Sequence, residues 1–113
     1  MLPVTDPLFR TRYGQTHYLR LMQQVYIEFG ELRTCYTPAS LSRLALLVDQ
    51  LIHRSAEISP NSHCRLLNPP ETSGRVFRFS NDELLDLQDL LHGSTALIDL
   101  YDFLHSQLIT VEG

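Results

Sequence analysis

"VYIEFGELRTCYTP", residues 25–38, decides how this chain is read. Val25, Ile27 and Phe29 alternate with Tyr26 and Glu28, the period-two pattern of a half-buried strand. Gly30 then stands first in a two-residue Gly30-Glu31 loop, where a type II′ hairpin turn calls for positive φ. That loop fixes a register: Phe29 faces Leu32, Glu28 faces Arg33, Ile27 faces Thr34 and Val25 faces Tyr36. Val25, Ile27, Phe29, Leu32 and Tyr36 then share one apolar face, and Glu28 and Arg33 meet as a cross-strand ion pair on the other. The strand period stops at Tyr36. Thr37 is an N-cap residue, and Pro38 takes the first helical position, where its missing N–H costs nothing.

Downstream, Leu41, Leu44, Ala45, Val48, Leu51 and Ile52 recur at helical spacing, and the helix should fade between His53 and Ala56. Residues 57–63 read as a loop. "CRLLN" (64–68) and "RVFRF" (75–79) form a second hairpin around "PPETSG" (69–74). Ser80 opens "SNDE", a capping box in which Ser80 and Glu83 satisfy each other's backbone N–H. Leu84, Leu87, Leu91, Ile98, Tyr101 and Leu108 then stay near one stripe, with small Ser94 in the gap. A single helix from about 81 to 109 is expected, with a kink at 92–95 as the alternative. It would be roughly 42 Å long, whereas a domain of this size has a radius of gyration of about 13 Å. One end must overhang.

Upstream, "THYLRLM" (16–22) reads as a strand with a Gln23-Gln24 turn after it. Residues 1–15, with Pro3, Pro7 and Gly14, show no period and are expected to form an irregular arm. The element order is β-β-β-α-β-β-α: an α+β fold, with an antiparallel sheet of about five strands, two helices on one face and the C-terminal helix long, in one domain over 16–113. "YTPASLSRLALLV" (36–48) aligns with "FSNDELLDLQDLL" (79–91) at an offset of 43, so a ββα pseudo-repeat over 16–56 and 64–109 is one reading and convergence the other.

Two pieces, "VYIEFGELRTCYTPASLSRL" (25–44) and "VFRFSNDELLDLQDLLHGSTALIDL" (76–100), resemble an uncharacterised family of small bacterial proteins, mainly from Bacteroidota. In that family a strand ending in Phe-Gly leads to a Thr/Ser-Pro type cap and a Leu-rich helix. The resemblance spans roughly residues 17–105 and rests on strand, turn and cap signals. Family members carry a cysteine cluster before the first strands; this chain has no cysteine before Cys35, so a metal role is not carried over. The resemblance implies an organism class and no activity.

Composition narrows the function. The 113 residues are 43% hydrophobic and 19% charged, enough apolar content for a core without disulfides or metal. No apolar run approaches a membrane span, and the N-terminal stretch lacks the pattern of a signal peptide, so a cytoplasmic protein with reduced Cys35 and Cys64 is expected. All nine basic residues are arginine, which excludes Schiff-base and P-loop lysines. From Phe79 onward there are seven acids and no arginine, a poor surface for nucleic acid. The N-terminal arginines Arg10, Arg12, Arg20 and Arg33 are available to meet that acidic helix, within or between chains.

No catalytic motif is present. His53, His63 and Cys64 are the candidate metal ligands, but they lack the short paired spacings of a zinc site, and neither metal nor cofactor is expected. Asp99, Asp102 and His105 on one helix, and the pairs Cys64 with His17 and Cys35 with His53, complete the chemical candidates. Binding is the stronger theme. Tyr18 and Arg20 share one face of the first strand, and Tyr26 and Arg33 lie on the polar side of the hairpin, a possible partner surface. The end of the last helix is apolar on more than one side: Leu97, Ile98, Leu100, Tyr101, Phe103, Leu104, Leu108 and Ile109. One sheet face cannot cover all of these, so Leu97, Ile98, Tyr101, Leu104 and Leu108 are expected to pack against a second copy as a two-fold dimer. The sequence thus points to a non-enzymatic protein-interaction module. The alternative is a small-molecule or metal-binding sensor, or a minor enzyme, using His and Cys residues.

Overall fold

The computed structural model describes residues 6–58 and 65–112, and the side chains of 6–54 and 66–104. The fold is α+β. Strands β1 (Asp6–Arg10), β2 (Gly14–Leu19), β3 (Gln24–Phe29) and β4 (Leu32–Tyr36) form an antiparallel meander in the order β1-β2-β3-β4. Helix α1 (Pro38–Ile58) follows, then a separate two-stranded ribbon of β5 (Arg65–Leu67) and β6 (Phe77–Phe79), and finally α2 (Asn81–Glu112).

The Gly30-Glu31 loop acts as its residue types require. Gly30 has φ of 59° and Glu31 keeps negative φ, the type II′ signature. The pairing is Phe29↔Leu32, Glu28↔Arg33, Ile27↔Thr34 and Val25↔Tyr36, the register expected from the loop. Val25, Ile27, Phe29, Leu32 and Tyr36 are all buried in the core. The expected Glu28–Arg33 ion pair does not form among the described residues; Glu28 Oε2 instead accepts a bond from Gln15 Nε2 at 3.2 Å.

Both helix caps form. Ser40 N donates to Thr37 Oγ1 at 3.1 Å and Leu41 N to the Thr37 carbonyl at 2.9 Å. At α2 the capping box closes in both directions, Glu83 N to Ser80 Oγ at 3.2 Å and Ser80 N to Glu83 Oε1 at 2.9 Å. Leu41, Leu44, Ala45 and Val48 of α1 and Leu84, Leu87, Leu90, Leu91 and Ile98 of α2 complete the core against one face of the meander. Each such buried leucine contributes about 1.5–3 kcal/mol of transfer free energy. Leu67, Phe77 and Phe79 from the ribbon close the core at the end near Phe29, whose ring meets Phe79 edge-on at 5.6 Å.

Three expectations are corrected. Residues 6–10 and 14–15 are strand, not part of an irregular arm. Pro7 is tolerated because β1 is an edge strand, and a bulge between Pro7 and Phe9 interrupts the alternation that would have marked it. The strand expected at 16–22 ends at Leu19; the turn is Arg20–Gln23, closed by Met22 N to Leu19 O at 3.2 Å and Gln23 N to Arg20 O at 3.3 Å. Leu21 and Met22 imitate strand alternation but are 90% and 64% exposed in that turn. Lastly, the strands do not form one sheet: among the described residues the ribbon pairs only with itself.

Helix α2 is assigned as one continuous helix through Gly93 and Ser94, as the single-helix expectation has it. Its 32 residues correspond to roughly 48 Å, and the molecule measures 56 × 32 × 24 Å. At Gly93 and Ser94 the β1–β2 hairpin packs tightly against α2. A Cβ on Gly93 would lie 2.5 Å from two ring atoms of Phe9. Ser94 Oγ is buried, 2.7 Å from Thr16 Oγ1, and donates to the Leu90 carbonyl at 2.6 Å.

Candidate functional site

The β1–β2 loop is pinned to α2 by Asp86. Its carboxylate accepts from Thr11 Oγ1 at 2.6 Å, Tyr13 N at 3.0 Å and Arg12 N at 3.3 Å. The N-terminal arm of the sheet therefore does meet the acidic helix, but through backbone N–H groups and a hydroxyl. The Arg20 guanidinium pairs with Asp6 at 2.7 Å. Further along the same helix, Gln88 Nε2 donates to Asp49 Oδ1 at 2.8 Å, and His92 Nε2 lies 2.9 and 3.0 Å from the two Asp49 oxygens. Burial tends to raise the Asp49 pKa, yet the bonds from Gln88 and His92 and the His92 charge outweigh it and hold the carboxyl below its ordinary range. Tyr36 shows the opposite case. Burial first, then the charge of Glu71, pushes its hydroxyl well above the phenol range, and the group donates to the Pro70 carbonyl at 2.8 Å.

Among the described side chains, Ile98 is the last core residue of α2. Beyond it Leu100, Tyr101, Phe103 and Leu104 are 47%, 43%, 58% and 47% exposed. Of the residues expected at an interface, Ile98 is a core residue, 2% exposed, and therefore not free to meet another chain. Leu97 is half-buried against the core, Tyr101 and Leu104 are exposed, and Leu108 lies outside the residues whose side chains are described. Tyr101 and Asp102 turn toward the sheet and line a cleft of about 620 Å³ with Asp6, Pro7, Tyr18, Arg20 and Gln23. The helix continues here while strand β2 ends at Leu19, and the cleft lies between the helix and the β2–β3 turn.

Tyr18, Arg20, Tyr26 and Arg33 do not form one surface. Tyr18 pairs with buried Val25 and packs against the core side, whereas Tyr26 and Arg33 lie on the opposite face with Cys35, because Tyr26 pairs with Cys35 and Glu28 with Arg33. The sheet separates exposed Cys35 from the α1 side where His53 resides, so those two cannot form a nucleophile–base pair. His63 and Cys64 lie outside the described residues, which removes Cys64–His17 from description as well. Among the described residues no group of three or more His, Cys, Asp or Glu side chains is placed to hold a metal ion. Sequence reading missed the two exposed apolar residues of the turn, Leu21 and Met22, which lie between the cleft residues Arg20 and Gln23 in the chain; the pattern around Arg20 gave no signal to separate them from a strand.

The chain matches no known family profile, no curated protein and no solved structure. No described helix is long and apolar enough to cross a membrane.

Proposed function

We propose that this protein is a non-enzymatic interaction module that self-associates through the C-terminal part of α2, beyond the core residue Ile98. The observation that carries the reading is the loss of core contact after Ile98 while the helix continues with Leu100, Tyr101, Phe103 and Leu104 exposed. An unpartnered apolar helix end is costly to leave in water, and a contiguous apolar patch of this kind marks an association surface. A two-fold pairing of identical copies is the simplest closed arrangement that covers it. A bacterial cytoplasmic setting and a further protein partner belong to the same proposal. The acidic character of α2 supports a protein partner over nucleic acid.

Light scattering coupled to size exclusion tests it. The wild-type chain is expected to elute as a dimer at micromolar concentration, and Leu100→Glu combined with Leu104→Glu as a folded monomer. A wild-type monomer at that concentration would refute the proposal.

A further inference from the structure

Arg10, Arg12 and Arg33 line one cavity of about 280 Å³, together with Tyr13, Gln15 and Glu28. Strand pairing explains how residues so far apart in the chain meet. Arg10 faces Gln15, Gln15 faces Glu28 and Glu28 faces Arg33, so one cross-strand row runs over all four strands of the meander. Directly opposed residues share a face, and this row lies on the face opposite the buried Val25, Ile27, Phe29 and Leu32. Arg10 and Arg33 stand at its ends, roughly 14 Å apart at about 4.8 Å per strand. Arg12 comes from the β1–β2 loop, which Asp86 holds through Arg12 N at 3.3 Å and Tyr13 N at 3.0 Å. Its guanidinium lies 5.1 Å from the centre of the Tyr13 ring, and that ring meets Phe29 of the core edge-on at 6.5 Å.

We propose that this cavity binds a phosphomonoester group, independently of the self-association above. The charges call for an anion. None of the three guanidiniums has an ion pair among the described residues, in contrast to Arg20, which Asp6 holds. Glu28 is the one carboxylate in the lining, and its Oε2 accepts from Gln15 Nε2 at 3.2 Å rather than meeting Arg33. Asp86 is taken up by its three bonds from the loop, and neither it nor Glu31 lines the cavity. Three guanidiniums against one carboxylate make the cavity positive in a chain of net charge -4. A phosphomonoester carries close to two negative charges above its second pKa of about 6, and its three terminal oxygens can receive more than one guanidinium. A lone carboxylate offers only two oxygens and one charge. Guanidinium forks engage phosphate oxygens two bonds at a time. Strand pairing, the Asp86 anchor and the Tyr13 ring place the three arginines before any ligand arrives, which lowers the ordering cost of binding. A polynucleotide would need cations along its length, whereas here they stop at one cavity and α2 is acidic.

Isothermal titration of the full chain at fixed ionic strength and about pH 8, above that second pKa, tests it. Glycerol phosphate is the probe for a free ester, and a phosphoserine peptide with neutral flanks is the probe for a phosphorylated chain. Saturable binding of at least one probe is expected, with none for glycerol or the unphosphorylated peptide, and the tighter probe identifies the source of the group. Arg10→Gln and Arg33→Gln each change an exposed side chain, so their thermal transitions should match wild type. Each should raise the dissociation constant by about tenfold or more, as for loss of a hydrogen bond to a charged group. Arg78→Gln removes the same charge from β6, outside the cavity, and should leave the affinity as it is. The assignment is overturned if neither probe binds, if binding survives Arg10→Gln and Arg33→Gln, or if Arg78→Gln weakens it equally. Tighter binding of a single-stranded oligonucleotide than of either ester would overturn it too.

Discussion

Gly93 gives the sharpest test of the packing. In an exposed helix interior, replacing Gly by Ala gains about 1 kcal/mol. At position 93 the new Cβ would sit 2.5 Å from Cε2 and Cζ of Phe9 and 2.7 Å from Cδ2, closer than carbon atoms approach without displacement. Overpacking of this kind costs about 1–3 kcal/mol. Phe9 is 36% exposed on an edge strand, so its ring yields part of the strain by moving outward, which places the cost toward the middle of that range. Gly93→Ala should therefore destabilise the protein by about 1 kcal/mol net, roughly 4 °C in Tm for a chain of this length. With Phe9→Ala as the background the obstacle is gone, and the same substitution should stabilise by about 1 kcal/mol. The assay is a double-mutant cycle by urea unfolding, and the expected coupling is about 2 kcal/mol. Equal stabilisation by Gly93→Ala in both backgrounds would mean that β1 does not press on α2 at this point, and the account of the Gly93-Ser94 pair would fail with it.

Two further outcomes follow from the polar contacts on α2. Asp86→Ala should cost about 1–2 kcal/mol, since the carboxylate accepts three bonds at a part-exposed site. Hydrogen exchange should localise the effect, with the Arg12 and Tyr13 amides losing protection while those of β3 keep it; unchanged Arg12 and Tyr13 protection would contradict the anchoring role. Asp49 carries a pKa lowered in the folded state, so its contribution is present above its ordinary value of 3.8 and is lost as pH falls through the lower folded value. The contribution is at most about 1 kcal/mol because the side chain is a third exposed. Comparing Tm against pH for wild type and Asp49→Asn should show a gap at neutral pH that closes in acid below that point; a gap that widens there would reverse the assigned sign.

The sequence by itself determined the parts governed by local chemistry. Gly30 permits the II′ turn, and a two-residue loop leaves only one register, so five core residues of β3 and β4 followed from one glycine. Thr37-Pro38 and Ser80 with Glu83 set both helix starts, because capping is a contact between residues three positions apart. The length of α2 and the excess of apolar residues past Ile98 were likewise legible as periodicity and composition. Tertiary structure decided what depends on distant partners. Strand β1 was hidden because its bulge breaks the period and only its pairing with β2 reveals it. The turn residues Leu21 and Met22 were indistinguishable from strand until the Leu19↔Gln24 pairing fixed where β2 ends. The division of the apolar residues near 98–104 among core, cleft and outer surface depends on where the sheet stops beneath the helix. A helix carries its own period, but the length of sheet available to cover it is set by strands more than seventy residues away in the chain.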